Sequence, residues 1–106
     1  MSGKNLDILF PHHLGHYVGL DVHDCPGFPR SNPLKERQCV TVEPGIHVPP
    51  DPRFPVHFHN IGIQIEDSVA IGVEHPIILT PEAPKEVVDI EALRAEMVEE
   101  EVVRRL

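Results

Sequence analysis

The sequence predicts an α+β fold in which mostly antiparallel β-strands precede one C-terminal helix. Two observations support this prediction. The 106 residues include 12 prolines and 7 glycines, a frequency typical of short strands joined by turns rather than of a helix bundle. The end of the chain instead carries apolar side chains at helical spacing. A chain of this length corresponds to one small domain.

The first half of the chain is predicted to contain a lead-in, two loop-like segments and a strand. Residues 1–11 are predicted to be a short lead-in. Residues 12–24, here called the histidine segment, hold four histidines and two aspartates, and their glycines favour a strand or loop over a helix. A proline-rich loop follows at 25–38. Residues 39–48 alternate β-branched with polar side chains, which predicts a strand that bends at its Pro-Gly pair.

The second half is predicted to contain a second strand and the helix. At 61–66 three isoleucines face one way, while a glycine, a glutamine and a glutamate face the other. The run at 69–72 is predicted to fold back on this strand as a hairpin, and 75–80 is a further apolar run. Residues 87–106 are predicted to be helical, with two apolar rows. The rows are Ile90, Leu93 and Met97, and Val98, Val102 and Leu106.

Charge and composition exclude several classes of function. The formal net charge of −8 repels phosphate backbones, so nucleic acid is not an expected partner. No apolar run is long enough to cross a membrane. The N-terminal residues resemble no targeting segment, which predicts a cytoplasmic protein if the chain is complete. Cys25 and Cys39 have no metal-like spacing and are predicted to be free thiols.

His16, Glu43 and Glu66 form a candidate metal-ligand set. One imidazole and two carboxylates suit Mn, Co, Zn or Fe. Each glutamate follows a β-rich run, and a strand places a ligand rigidly. The alternative on spacing alone is that both glutamates are solvated residues at a sheet edge.

The histidine segment is expected to supply at least one functional imidazole. In a strand His12 and His16 would share a face and His23 would lie on the other. An aspartate on each side of His23 could fix its tautomer and raise its basicity. The remaining histidines are predicted to be surface residues: His47, His57, His59 and His75.

Three stretches, "PHHLGHYVGLDVHD", "VTVEPGIHVPPD" and "IGIQIED", resemble in this order the C-terminal half of the catalytic domain of aminopeptidase P and prolidase. These are metallopeptidases of the pita-bread (creatinase/aminopeptidase) fold. The ending "HPIILTPEAPKEVVDIEAL" is similar to the mitochondrial type, Xaa-Pro aminopeptidase 3 and the fungal intermediate-cleaving peptidase. The resemblance implies a partial catalytic domain at 1–93, a helical tail at 94–106 and a mitochondrial location.

The resemblance also implies a role for each candidate residue. His16, Glu43 and Glu66 are similar to metal ligands, and Glu43 is similar to a proton shuttle as well. His23 is similar to a histidine that stabilises the transition state, and His12 to one that contacts substrate. The implied reaction removes an N-terminal residue before proline from a peptide or protein, with two divalent ions, Mn²⁺ above all.

The match departs from the family pattern at two points that bear on activity. The family's two aspartate ligands lie on an N-terminal hairpin that the three motifs do not include, and Gln64 stands where relatives carry arginine. We therefore expect a truncated domain that is inactive alone. The alternative is a small non-catalytic domain that binds a divalent metal or docks a partner. Self-association and pairing with a full-length homologue both stay open.

Overall fold

The part of the chain that the structure describes contains five short strands and two α-helices, joined by loops. This computed structural model covers the backbone of residues 3–104 and the side chains of 5–97 and Arg104. The elements are α1 (Gly3–Leu9), β1 (Cys39–Val42), β2 (Gly45–Val48), a 3₁₀ turn (Val56–Phe58), β3 (Ile61–Gln64), β4 (Asp67–Ala70), β5 (Ile77–Ile78) and α2 (Val87–Arg104). The predicted α+β class, with antiparallel strands and a C-terminal helix, is confirmed.

The strands form two antiparallel sheets. One has the order β1-β4-β5 and the other pairs β2 with β3. The strand predicted at 39–48 is confirmed on both sides of its Pro-Gly bend, but the chain changes sheets there. The predicted hairpin after 61–66 is wrong, because β4 pairs with β1 in the register Val42↔Asp67. The chain enters the second sheet after β1 and leaves it after β3. β4 therefore returns to the first sheet and does not pair with β3.

The lead-in predicted at 1–11 contains a helix that the sequence did not indicate, α1 at Gly3–Leu9. A helix of seven residues is marginal by itself, and α1 packs against β2. Leu6 and Phe10 stand four residues apart, so both face the sheet. The backbone N–H of Phe10 also donates to the carbonyl of Leu6 at 2.8 Å. Packing on the sheet thus stabilises a helix that weak local propensity did not reveal.

The predicted C-terminal helix is confirmed as α2, and the side chains of the second apolar row, Val98, Val102 and Leu106, lie outside the described residues. Asp89 lies in its first turn and Arg104 in its last turn. Their charges interact favourably with the helix macrodipole and so stabilise the helix. The predicted boundary between 93 and 94 falls inside this helix. No helix in the described range is both long and apolar enough to cross a membrane.

The core of the described residues is small. Val40 and Val69, which face each other across β1 and β4, are each 8% exposed, and Thr41 is 6% exposed. The radius of gyration is 18.1 Å, whereas a compact domain of about 100 residues has about 13 Å.

Cys25 and Cys39 are free thiols, as predicted.

Apolar side chains of the β2–β3 sheet and of α1 enclose an open groove of about 530 Å³. We call this surface the apolar groove. Its lining includes Leu6, Phe10, Ile46, Ile61, Ile63 and Ile65. Ile63 is 64% exposed and Ile46 is 57% exposed, so much apolar surface of this sheet faces solvent.

Candidate metal centre

The histidine segment runs beside β1 and is held there by backbone hydrogen bonds. Three of them, 2.7–3.0 Å long, join the segment to β1 and to the residue after it, and one runs from the Thr41 N–H to the His16 carbonyl. The close approach depends on Gly15, because a Cβ at this position would lie 2.0 Å from the carbonyl oxygen of Thr41. The chain thereby brings His16 next to the end of β1.

The two glutamates lie where the chain passes from one sheet to the other. Glu43 separates β1 from β2, and Glu66 separates β3 from β4. The Ile65 N–H donates to the Pro44 carbonyl at 3.0 Å, so the two crossings are joined directly. Both carboxylates are therefore placed by the same junction.

His16, Glu43 and Glu66 come together at this junction. One imidazole nitrogen and one oxygen from each carboxylate lie within 4.8 Å of one another. The Nδ1 of His16 is 2.8 Å from the Tyr17 carbonyl, which can only accept, so Nδ1 carries the proton in the neutral ring. Nε2 then keeps its lone pair, and it lies 3.4 Å from Oε1 of Glu43.

The arrangement fits a divalent cation. A metal-binding histidine usually donates its other ring N–H to a carbonyl or carboxylate, and this hydrogen bond fixes the tautomer. The His16 side chain is 17% exposed and that of Glu43 is 12% exposed, whereas Glu66 is exposed. The mixed N/O donor set suits borderline and hard first-row ions.

Two further residues hydrogen-bond to Glu43: Thr41, which the sequence did not indicate as part of the site, and Gln64, which it indicated only as the residue in place of the family arginine. The Thr41 hydroxyl donates to Oε1 and the Gln64 amide donates to Oε2, each at 2.9 Å. A signal was available, because Thr41 precedes Glu43 by two positions and Gln64 precedes Glu66 by two. Residues two apart on a strand share a face.

His23 lies against His16, contrary to the expectation that they occupy opposite faces. Their ring centroids are 4.9 Å apart with an interplanar angle of 82°. That expectation assumed a continuous strand, whereas only Tyr17 and Asp24 of the segment form isolated bridges. Both rings line a groove of about 450 Å³ together with Thr41.

His12 lies apart from this group, between Phe10 and His47. The His12 ring centroid is 4.5 Å from that of Phe10 and 5.5 Å from that of His47. Its Nδ1 is 2.9 Å from the His13 carbonyl, and its Nε2 is buried without a partner among the described atoms.

The surface prediction for the other histidines is correct for two of them. His57 and His75 are exposed. It is wrong for His47 and His59, which are partly buried. His59 lies with its Nε2 3.0 Å from the Phe54 carbonyl, and His47 packs against His12 as described above.

Comparison with known proteins decides the family. Residues 2–72 match the model of metallopeptidase family M24. The chain belongs to this family. M24 membership implies that divalent metal is bound, in agreement with the partial ligand group of His16, Glu43 and Glu66.

Two curated M24 relatives are about equally similar to the chain. Intermediate cleaving peptidase 55 of Saccharomyces cerevisiae is 50% identical over 91 residues, which are 86% of this chain and 18% of the relative. Xaa-Pro aminopeptidase 3 of Mus musculus is 50% identical over 84 residues, 78% of this chain and 17% of the relative. The chain thus spans less than a fifth of the length of these relatives.

The fold is that of the pita-bread aminopeptidases. Aminopeptidase P from E. coli, solved with the inhibitor Pro-Leu, superposes with a TM-score of 0.79 at 35% identity. The match covers 91% of this chain and 22% of that one. The fold predicted from the three motifs is therefore confirmed.

Proposed function

We propose that this chain supplies His16, Glu43 and Glu66 to the dinuclear metal site of an aminopeptidase that removes an N-terminal residue before proline. The observation that carries the proposal is the convergence of these side chains within 4.8 Å in a chain of the M24 family. The substrate class is taken from the names of the relatives. The substrates would be peptides or proteins, cleaved at their N-termini.

Four of the candidate residues have a proposed role that their position supports. Two divalent ions, Mn²⁺ by preference, would supply Lewis-acid polarisation of the scissile carbonyl when bound. His16, with Nδ1 held by a carbonyl, presents Nε2 as a ligand, and Glu66 presents an exposed carboxylate beside it. Glu43 is the proposed carrier of the proton to the leaving amine. His23, packed on His16, is the proposed donor to the charge that develops on the carbonyl oxygen.

The substrate-contacting role of His12 stays a prediction. Its Nε2 is buried beside Phe10, Gly45 and His47, so a polar contact with substrate would need this side chain to turn. The ring face offers an alternative, apolar contact.

We also propose that the three ligands do not suffice for catalysis by this chain alone. Two ions that share one imidazole and two carboxylates would be under-coordinated. The missing ligands would come from polypeptide that covers the apolar groove, because that groove adjoins the junction of Glu43 and Glu66. This polypeptide would belong either to a longer form of this chain or to a full-length homologue.

A second candidate function is a non-catalytic domain that binds one divalent ion or docks a partner. The observation that favours it is the exposure of the apolar groove, with Ile63 at 64%. Calorimetric titration of the chain alone with Mn²⁺ tests the proposed shortage of ligands: one weak site is expected under both candidates, and two tightly bound ions would contradict the shortage. Release of the first residue from an Xaa-Pro peptide that increases when the chain is added to a full-length homologue would favour the first candidate over the second.

Activity is tested by incubating the purified chain and Mn²⁺ with an Xaa-Pro peptide, with and without a full-length homologue. We expect no release of the first residue by the chain alone. Release that disappears in Glu66→Gln would contradict the proposed inactivity. Gel filtration of the mixture tests pairing, and absence of co-elution would end that part of the proposal.

The mitochondrial location is proposed from the resemblance to the mitochondrial type of Xaa-Pro aminopeptidase. A fluorescent fusion of the native gene product, imaged with a mitochondrial marker, tests it. Diffuse cytoplasmic signal would contradict it.

A further inference from the structure

Thr41 connects two of the proposed metal ligands. Its hydroxyl accepts from the His16 backbone N–H at 3.0 Å and donates to Oε1 of Glu43 at 2.9 Å. Its single proton is committed to Glu43, since the His16 carbonyl lies farther away at 3.5 Å. Thr41 is also 6% exposed, so water does not compete for these hydrogen bonds, and they are stronger than they would be at the surface.

Gln64 occupies the other oxygen of the same carboxylate. Its side-chain amide donates to Oε2 of Glu43 at 2.9 Å. Gln64 lies on β3 opposite Gly45, and Gly45 follows Glu43 by two positions. The pairing of β2 with β3 therefore brings the Gln64 amide to the Glu43 carboxylate.

We propose that Thr41 and Gln64 are positioning residues that hold Glu43 by one donor on each carboxylate oxygen and so set its affinity for a divalent ion. The inference rests on the proposed function, in which Glu43 is a ligand. A carboxylate offers about four lone-pair sites. Two donors occupy one on each oxygen and leave one on each oxygen for a cation.

The neutrality of both donors matters as much as their placement. Neither the hydroxyl nor the amide carries a charge that would oppose a cation bound to Glu43. The side chain is therefore oriented for a metal without electrostatic cost. Loss of such outer partners typically reduces metal affinity by about 10-fold to 100-fold.

The test is a calorimetric titration of the full chain with Mn²⁺. Thr41→Val and Gln64→Leu remove one donor each with little change in size, and each is expected to raise the dissociation constant by about 10-fold or more. Thr41→Ser restores the hydroxyl and is expected to restore most of the affinity.

Thr80→Val is the matched control for Thr41→Val. The Thr80 hydroxyl likewise accepts from a backbone N–H, that of Ser68 at 3.1 Å, and donates to a carboxylate, that of Asp67 at 2.7 Å. Among the described residues the Thr80 side chain makes no hydrogen bond to His16, Glu43 or Glu66, although its partner Asp67 follows Glu66 directly in the chain. We expect Thr80→Val to lower the melting temperature as Thr41→Val does, while Mn²⁺ affinity stays unchanged. Gln38→Leu is the matched control for Gln64→Leu, and its Mn²⁺ affinity is likewise expected to stay unchanged.

A second measurement needs no metal. In the metal-free chain the side-chain amide protons of Gln64 are expected to show slowed exchange in NMR spectra, and Glu43→Ala should abolish that protection. Protection that persists in Glu43→Ala would contradict the proposed contact even if Thr41→Val failed to fold.

The outcomes separate the inference from the proposed function. Failure of the unchanged chain to bind Mn²⁺ would contradict the proposed function, and the NMR measurement would still decide whether Gln64 holds Glu43. Binding that Thr41→Val and Gln64→Leu leave unaltered would overturn the inference alone. An equal loss of affinity in Thr80→Val would overturn it as well.

Discussion

The Nε2 atom of His16 lies 3.4 Å from Oε1 of Glu43, although the two residues belong to separate segments of the chain. Backbone pairing between the histidine segment and β1 creates this contact, since Thr41 donates its N–H to the His16 carbonyl at 2.8 Å. The geometry of the candidate metal centre therefore depends on how closely the segment can approach the strand.

Gly15→Ala is expected to disrupt this approach. The added Cβ would meet the Thr41 carbonyl oxygen at 2.0 Å, and relieving such an overlap in packed backbone costs about 2 kcal/mol. Urea unfolding should show a lower free energy of unfolding, and Mn²⁺ binding should weaken with it. Gly27→Ala is the control, because a Cβ there meets nothing within 4 Å. Equal stability of the two variants would show that the approach is not tight.

Mn²⁺ binding should depend on the proposed ligands and not on histidine content in general. His16→Ala removes one ligand from the group within 4.8 Å, and Glu66→Gln replaces the charge of another by a neutral amide, so calorimetry should detect little or no binding in either variant. His75→Ala removes an exposed imidazole outside the group and should bind as the unchanged chain does. Loss of binding in His75→Ala would indicate a different site.

The small core should be sensitive to truncation. Val40 and Val69 face each other and are each 8% exposed, so Val40→Ala or Val69→Ala should lower the free energy of unfolding by about 2 kcal/mol. Val73→Ala, at a position that is 81% exposed, should change it by less than about 0.5 kcal/mol. If urea unfolding gave similar free energies of unfolding for Val40→Ala, Val69→Ala and Val73→Ala, the core would not lie between β1 and β4.

Asp67 should contribute to stability in a pH-dependent way. The Thr80 hydroxyl, and after it the Lys85 ammonium group at 3.0 Å, lowers the pKa of Asp67 below its ordinary value of 3.8. A lowered folded-state pKa stabilises the fold above the unfolded value, and this contribution is lost as pH falls through the folded value. Asp67→Asn should therefore be less stable than the unchanged chain at pH 7, and the two should converge in acid, once the pH has fallen through the lowered pKa of Asp67. A difference that persists in acid, measured by urea unfolding, would contradict the assignment.

The apolar groove should cause self-association. Ile63, at 64% exposure, lies in the groove, and contiguous exposed apolar surface promotes protein contacts. Ile63→Asp is expected to reduce concentration-dependent association in analytical ultracentrifugation, whereas Val73→Asp, outside the groove, should not. A monomer at all concentrations in the unchanged chain would contradict this expectation.

Much of the fold could be predicted from local pattern. Alternation of isoleucines at 61–65 and helical spacing in 87–104 depend on residues that are neighbours in the chain, so both elements were predicted correctly. The helix α1 was missed because its stability comes from packing on β2. The pairing of β4 with β1 was missed because it depends on where the chain changes sheets, which no local pattern records.

The candidate site divides in the same way. The family that the motifs resemble indicates His16, Glu43 and Glu66 as ligands, whereas residue type and spacing alone left both glutamates open as solvated residues at a sheet edge. The contacts of Thr41 and Gln64 with Glu43, by contrast, depend on the register of two sheets. The position of His23 against His16 depends on an irregular segment, for which face rules derived from strands do not hold.

The placement of Glu43 and Glu66 between sheets restricts where the chain can tolerate changes in length. One residue, Pro44, separates Glu43 from β2, and a single insertion there would turn the carboxylate to the opposite face. The loops at 25–38 and 49–60 hold none of the three proposed ligands. Insertions and deletions among homologues should therefore collect in those loops, and the spacing from Thr41 to Gly45 and from Gln64 to Asp67 should be invariant.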